Sequence, residues 1–283
     1  YQLHADNLAV EAENKGLGQA PSYPTVRRYM KGLGLFKRKK PRNLDGAAQV
    51  LNHNEEKETR SFEVEYVNGL WHLDFHKNPT KVLLANGTWA SAILLGIFDD
   101  HSRLACHMQW YLEETTECLV HGFSQALAKR QIPRELLNDN GGAMTSAEFT
   151  EGLARLGIKA NCTRPRTPKQ NGKCEFVWNR VEGRLMAMLH GQNDLTLLQL
   201  NDITQAWAEM EYNRVVHDET KERPIDRFAH GRDVGRPCPS SDVLRFYFLR
   251  EVTRMQRRSD GTVSLDSHRY EIPTRFRHMK KLT

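Results

Sequence analysis

The sequence has 283 residues, enough for one large hydrophobic core with smaller modules beside it. It carries 41 Lys and Arg against 35 Asp and Glu, a formal net charge of +6, and this basic excess fits a polyanionic partner without proving one. The five cysteines form no C-x-x-C pair, which favours a reduced, intracellular chain over a disulfide scaffold. No apolar run approaches the ~18 residues of a membrane span and no signal peptide opens the sequence, so we predict a cytoplasmic protein with no membrane partner. Because the sequence begins at Tyr1 and not at Met, we expect N-terminal material to precede it.

Two short helices are predicted at the start of the chain. The first covers residues 3–14, and the second has Pro24 in its first turn and Gly32 or Gly34 at its end. Together they resemble a helix-turn-helix, and a basic run at residues 36–42 follows them. The predicted contacts with DNA phosphates are Arg27, Arg28, Lys31, Lys37, Arg38, Lys39, Lys40 and Arg42. The alternative for the basic run is a solvated arm. We assign residues 1–42 to a DNA-binding segment and 43–66, which are polar and non-periodic, to a linker.

Three strands with short turns are predicted next. In the stretch "WHLDFHKN" (71–78), apolar residues alternate with His72, Asp74 and His76, which therefore share one side of a strand. A turn at Asn86-Gly87 leads to "TWASAILLGIFDD", and "DDHSR" leads to "RLACHMQWY". Short connections of this kind predict an antiparallel meander.

Helices and strands alternate after the meander. Leu119, Phe123 and Leu127 mark one face of a helix, "RELLNDN" and "IKANCTR" predict strands, and "SAEFTEGLARLG" predicts a helix between them. A long helix is predicted from about residue 170 to 190, and another covers 196–214. We therefore predict an α/β fold over 67–232, with a mixed sheet and helices on its faces.

Residues 240–283 predict a separate small β module. The sequence alternates and turns at Asp260-Gly261 and near Asp266-Ser267, giving about three strands of a β-barrel-like unit. Three strands barely close a core, so we expect the module to continue beyond Thr283.

Three carboxylates stand out. Asp74 lies in mid-strand, Asp139 ends a strand before Asn140-Gly141-Gly142, and Glu175 lies one to two turns inside a helix. Each alone has an ordinary explanation: a buried pair with Arg for Asp74, a turn cap for Asp139, and an exposed pairing with Asn179 or Arg180 for Glu175.

Taken together and in order, these motifs resemble the DDE catalytic core of retroviral integrases and bacterial insertion-sequence transposases. The resemblance comprises the strand Asp74, the "DNG" at Asp139 and the "P-x-x-N-G-x-x-E" that ends at Glu175. "DDHSR" (99–103) and "YNRVVHDETKERPIDRF" (212–228) resemble further segments of that family. The flanking basic arm and β module are similar to the domain order of Mu-type transposases. The resemblance implies an RNase H-like core with a five-stranded mixed sheet.

The resemblance also implies an activity: a DNA transposase or integrase that cleaves phosphodiesters at element ends and transfers the 3′-hydroxyl into target DNA. It implies two Mg²⁺ ions, replaceable by Mn²⁺, held by Asp74, Asp139 and Glu175. It further implies double-stranded DNA as the partner, a homo-multimer assembled on DNA, a possible ATPase helper and a bacterial, nucleoid-associated location. The alternatives are an RNase H-like nuclease without strand transfer and an inactive DNA-binding relic.

The loop before Glu175 is predicted to grip DNA at the scissile bond, the alternative being a solvated loop. Its candidate contacts are Arg164, Arg166, Lys169, Gln170, Asn171 and Lys173. For the turn at Arg257 and Arg258, a DNA contact and a solvated turn both stay open.

Two further predictions concern the core. We assign His72 and His76 to the rim of the site and predict no zinc. The helix that carries Glu175 is predicted to pack through one stripe of apolar residues: Val177, Val181, Leu185 and Met188.

Overall fold

The computed structural model describes residues 1–35, 63–162, 172–192, 194–257, 259–265 and 267–283. Two compact units are distinguished by their internal contacts, one of Tyr1–Phe62 with Arg180–Leu189 and one of Glu63–Asn179 with His190–Thr283. The basic arm (36–42), most of the loop before Glu175 (163–171) and Arg258 lie outside the described residues.

In the first unit, helix α1 (Gln2–Asn14) contacts helix α2 (Tyr23–Gly32). Pro24 lies in the first turn of α2, and Gly34 follows its end with a φ of 72°, a left-handed conformation that glycine adopts without strain. Val26 is buried, whereas Arg27, Arg28 and Lys31 are exposed. Both predicted helices are present, and their helix-turn-helix role stays a prediction.

The centre of the second unit is a five-stranded sheet. Its strands are β1 (Leu70–Leu83), β2 (Trp89–Asp99), β3 (Ala105–Tyr111), β4 (Glu135–Asn138) and β5 (Lys159–Cys162), in the spatial order β3-β2-β1-β4-β5. The pairs β1–β2 and β2–β3 are antiparallel, and β1–β4 and β4–β5 are parallel. The predicted meander and mixed sheet are therefore confirmed.

Helices pack on both faces of the sheet. They are α3 (Thr116–Arg130) and α4 (Ala147–Arg155), then α5 (Gly172–Arg180), α6 (Leu197–Met210) and α7 (Pro224–His230). On β3, the Trp110 indole donates to Thr204 of α6 at 2.8 Å, and the next residue, Tyr111, bonds His121 of α3 at 2.8 Å. Because consecutive strand residues point to opposite faces, α3 and α6 lie on opposite sides of β3.

The outer edge of β3 is occupied by two asparagine side chains. Asn201 of α6 accepts from the Trp110 N–H at 2.6 Å and donates to the Trp110 carbonyl at 3.1 Å. Asn213, in the 3₁₀ turn Tyr212–Arg214, binds both backbone groups of Ala105 in the same way, at 2.9 and 3.2 Å. Each amide thus replaces the hydrogen bonds that a neighbouring strand residue would make.

The first residues of the C-terminal stretch, 240–248, differ from the predicted β structure. Helix α8 (Ser241–Tyr247) lies within the predicted β module, and it places Leu244 and Phe248 in the main core. The Phe248 ring stacks on Phe149 of α4 with centroids 6.0 Å apart. Residues 240–248 therefore extend the core and do not begin a new module.

The described part of the remaining chain forms two separate two-stranded sheets. One pairs β6 (Arg254–Met255) with β9 (Lys281–Leu282), and the other pairs β7 (Thr262–Leu265) with β8 (His268–Glu271). The barrel-like closure predicted for this region is not confirmed.

The helix that carries Glu175 continues past Arg180 as a π turn, Val181–Leu185. There the Met186 N–H bonds the Val181 carbonyl, five residues back instead of four. Val177, Val181 and Leu185 are buried as predicted, but Met188 is 51% exposed. The prediction for Met188 was wrong because the wider turn adds a residue and rotates the next part of the helix out of the stripe.

Candidate functional site

Asp74 lies in the middle of β1 and is only partly exposed. Its register partner on β2 is Gly96, and its Oδ2 accepts a hydrogen bond from the Trp178 indole N–H at 2.9 Å. Burial raises the pKa of the Asp74 carboxyl. The hydrogen bond from Trp178 lowers this pKa, and the negative charge of Asp139 raises it further. The second carboxylate is therefore close enough to act on the first.

Asp139 follows directly on β4, which runs parallel to β1 with His72 opposite Leu137. Parallel neighbours end at the same edge of a sheet, so the carboxyl end of β4 lies beside the later residues of β1, including Asp74. The Asp139 carboxylate also accepts from the Gly141 N–H at 2.8 Å. The Asp139 carboxylate thus caps its turn, which was the structural alternative that the sequence offered for this residue. The same hydrogen bond fixes the orientation of the carboxylate.

Glu175 lies in the first turn of α5 and is exposed. Its backbone carbonyl accepts from the Asn179 side chain at 2.8 Å. Among the described residues, no group of three or more His, Cys, Asp or Glu side chains is arranged to hold a metal ion. The structure therefore brings two predicted carboxylates together and does not join the third to them.

The two paired carboxylates fit a divalent cation. Burial and the neighbouring charge of Asp139 both disfavour ionised Asp74, and a cation beside two such groups removes that penalty. Carboxylate oxygens are also the ligands that Mg²⁺ takes. The donor chemistry at Asp74 and Asp139 therefore matches the predicted cofactor.

The two histidines beside Asp74 have other partners. His72 Nε2 lies 2.6 Å from Asp100 Oδ1, and the His76 ring stacks on Trp178 with centroids 4.8 Å apart. The His72/Asp74/His76 side of β1 thus faces helix α5 and the turn after β2.

Asp100 links β1 to the start of α5. It is 1% exposed, and its carboxylate contacts His72, the Lys173 ammonium and, at 3.8 Å, Arg103. Burial alone would raise the pKa of Asp100, but the bond to His72 and the charges of His72 and Lys173 hold it well below its usual range. Lys173 was predicted to contact DNA; here its ammonium is engaged by Asp100, and the DNA contact stays a prediction.

Arg103 extends this ion network to distant segments. Its guanidinium lies 3.3 Å from Glu63 and 3.4 Å from Glu219, and its backbone carbonyl accepts from the Tyr212 hydroxyl at 3.2 Å. Glu63 and Tyr66 were predicted to lie in the linker, yet the described residues place them with the core unit. The segments 99–103 and 212–228 therefore support each other structurally, a role that the resemblance had not explained.

Sequence reasoning missed Trp178 and Asp100 as parts of this site. The available signals were a glycine in the apolar run "LLGIF" opposite Asp74 and a doubled aspartate in a predicted turn. Neither specifies its partner, because Trp178 lies 104 residues from Asp74 along the chain.

Comparison with known proteins supports the assignment of the core. Residues 65–168 match the family model described as the integrase core domain, a span that includes Asp74 and Asp139 and ends before Glu175. A chain of the simian T-cell lymphotropic virus intasome in complex with a PP2A regulatory subunit is 18% identical, with a TM-score of 0.50 over 69% of this chain. This chain covers 64% of that one.

Two catalytic cores of viral integrases are also similar. The BIV core is 21% identical, with a TM-score of 0.43 over 57% of this chain and 94% of its own. The HTLV-2 core, solved with magnesium, is 19% identical, with a TM-score of 0.45 over 60% of this chain and 99% of its own. No curated protein matches the sequence.

The described helices include none with the length and apolar character needed to cross a membrane. The predicted α/β fold is confirmed by the sheet order and by the likeness to the intasome chain. Residues 65–168 of this chain are similar to the integrase core domain, in line with the resemblance to DDE transposases and integrases.

Proposed function

We propose that this protein is a DNA transposase or integrase that cleaves phosphodiester bonds at element ends and joins the 3′-hydroxyl to target DNA. The observation that carries the proposal is the pairing of Asp74 and Asp139 at adjacent strands inside an integrase core domain. Asp139 lies where the parallel strand β4 ends, the place where α/β sheets present polar groups to a substrate, and Asp74 lies beside it on β1.

The residues of the chain divide the work of the reaction. Asp74 and Asp139 would be the first two ligands of the cations, and Glu175, which the described structure does not join to them, would be the third once α5 brings it to the bound metal. When bound, two Mg²⁺ ions, or Mn²⁺ in their place, activate the attacking oxygen and stabilise the leaving one. The Gly141 N–H keeps the Asp139 carboxylate oriented, and the Trp178 indole does the same for Asp74.

Holding DNA is assigned to basic side chains. Arg27, Arg28 and Lys31 are exposed on α2 and suit contacts to phosphates. The basic arm and the loop before Glu175 supply the other contacts. We further propose a homo-multimer on double-stranded DNA, with a possible ATPase helper and a location at the bacterial nucleoid.

Asp139→Asn tests the proposal directly. Asn can still accept the bond from Gly141, so the turn is retained while a metal ligand is lost. We expect cutting and joining of labelled donor ends with Mg²⁺ to fall by more than about 100-fold, beyond the effect of losing an outer-shell partner. Binding of the same DNA should stay unchanged.

The control is Asp226→Asn, which removes an exposed carboxylate paired with Arg223 at 3.9 Å and should leave both reactions intact. Pre-nicked donor ends separate the three candidate functions. Joined product supports strand transfer, hydrolysis without joined product identifies a nuclease, and DNA binding with neither product identifies a relic. Full turnover in Asp139→Asn would defeat the assignment of this carboxylate.

A further inference from the structure

Trp178 is the residue of α5 that touches a predicted metal ligand. Its indole N–H donates to Asp74 Oδ2 at 2.9 Å, and the side chain is 6% exposed. It follows Glu175 by three positions, so the two side chains are neighbours on the helix surface. One helix thus carries the third predicted carboxylate and a hydrogen-bond donor to the first.

The indole ring sits in a slot shaped for it. His76 stacks on one side at 4.8 Å with an interplanar angle of 10°, and Phe98 meets the ring edge-on at 5.5 Å and 74°. The floor of the slot is Gly96, the register partner of Asp74. A Cβ at position 96 would lie 2.4 Å from Trp178 Cη2, so any larger residue there would displace the indole.

The slot and the hydrogen bond hold different parts of the side chain. The two aromatic neighbours and the glycine fix the ring plane, and the ring plane fixes the direction of the N–H. A neutral donor at the end of a rigid, buried ring sets the orientation of a carboxylate without contributing a competing positive charge. A lysine or arginine at the same place would oppose a cation.

We propose that Trp178 is a positioning residue for the metal site, which orients the Asp74 carboxylate for a divalent cation and fixes the start of α5, with Glu175, against β1. This inference rests on the proposed function of the same site. Ring packing alone would be served equally well by phenylalanine, and the indole N–H is the group that phenylalanine lacks.

The first test is Trp178→Phe, which keeps an aromatic ring in the slot and removes the donor. We expect Mn²⁺ affinity, measured by calorimetry without DNA, to weaken by about 10- to 100-fold, the usual effect of losing an outer-shell partner. The matched control is Trp89→Phe, which changes a 49% exposed tryptophan on β2 and should leave Mn²⁺ affinity unchanged. Equal affinity in Trp178→Phe and the unmodified protein would overturn the proposal.

The second test uses the unmodified protein and asks whether the metal binds beside Trp178. Its five tryptophans give five indole N–H resonances, and the one that disappears in Trp178→Phe belongs to Trp178. Sub-stoichiometric Mn²⁺ should broaden this resonance before the other four, because its nitrogen bonds a metal ligand. Uniform broadening, or none at this resonance while Mn²⁺ is bound, would overturn the proposal.

The outcomes also separate the inference from the function on which it rests. If Asp74→Asn and Asp139→Asn abolish Mn²⁺ binding and joining but Trp178→Phe retains both, only the positioning role fails. If the unmodified protein binds no Mn²⁺ and joins no DNA, the proposed function fails, and the positioning role fails with it.

Discussion

Asp100→Asn is the substitution for which the structure gives the clearest expected cost. The change keeps the shape of the side chain and removes one buried negative charge. That charge contacts the His72 ring at 2.6 Å and two cationic side chains, Arg103 at 3.8 Å and Lys173. Since Lys173 lies in the first turn of α5 and His72 lies on β1, the substitution weakens the attachment of the helix that carries Glu175.

The magnitude depends on the charges left behind. The side chains of Arg103 and Lys173 are 6% and 21% exposed, so water compensates little of the lost ion pair. Removing one partner of a buried pair costs about 3–5 kcal/mol. Arg103 keeps its contacts with Glu63 and Glu219, which places the expected loss of unfolding free energy near the lower end, at about 3 kcal/mol.

Urea unfolding followed by tryptophan fluorescence measures this loss. With a denaturant slope of about 3 kcal/mol per molar, the midpoint should fall by ~1 M. The matched control is Asp226→Asn, whose partner Arg223 is 58% exposed and whose ion pair is therefore worth less than about 0.5 kcal/mol. A loss below about 1 kcal/mol in Asp100→Asn would refute the ion network as a source of stability.

The pH dependence gives a second check with a definite sign. The pKa of Asp100 is lower in the folded protein than in the unfolded chain, where it is about 3.9. Its stabilising effect is therefore complete above that unfolded value and is lost as the pH falls toward the folded one. The stability difference between the unmodified protein and Asp100→Asn should be constant from neutral pH to about pH 4 and shrink below it. A difference that shrinks already near pH 6 would contradict the assignment.

Three further substitutions test other features. Asn213→Ala leaves both backbone groups of Ala105 without their partner and should cost about 2–4 kcal/mol in thermal or urea unfolding; a loss under about 0.5 kcal/mol would argue against the edge contact. Gly152→Ala puts a Cβ 2.2 Å from the Phe248 ring and should destabilise the core by about 1–3 kcal/mol. Unchanged stability would contradict the packing of Phe248 against α4. Arg27→Ala should reduce the slope of log DNA affinity against log salt concentration by about one. An unchanged slope would contradict a phosphate contact by Arg27 on α2.

Much of the fold is specified by local pattern. Alternation along "WHLDFHKN", the Asn86-Gly87 turn and the short connections specify a meander, and Gly87 has the left-handed φ of 79° that such a turn needs. The local pattern placed Asp74 within one strand and Asp139 at the end of another, and the expectation that they lie together came from the family resemblance.

The rest depends on contacts between distant segments. The Asn213 clamp on Ala105 and the Trp178 bond to Asp74 join residues 108 and 104 positions apart, and no periodicity marks either partner. Met188 was misplaced because a π turn leaves no signal in an otherwise regular helical stripe. Helix α8 was missed because it is short and comes after Pro237 and Pro239, which favour a boundary.

The asparagine contacts along β3 bear on how copies of this protein can associate. Because the outward N–H and C=O groups at Ala105 and Trp110 are already bonded, a strand of another chain cannot pair with β3 at these two positions unless it displaces the side-chain amides. Association of copies through surfaces other than this edge would leave the contacts of Asn201 and Asn213 intact.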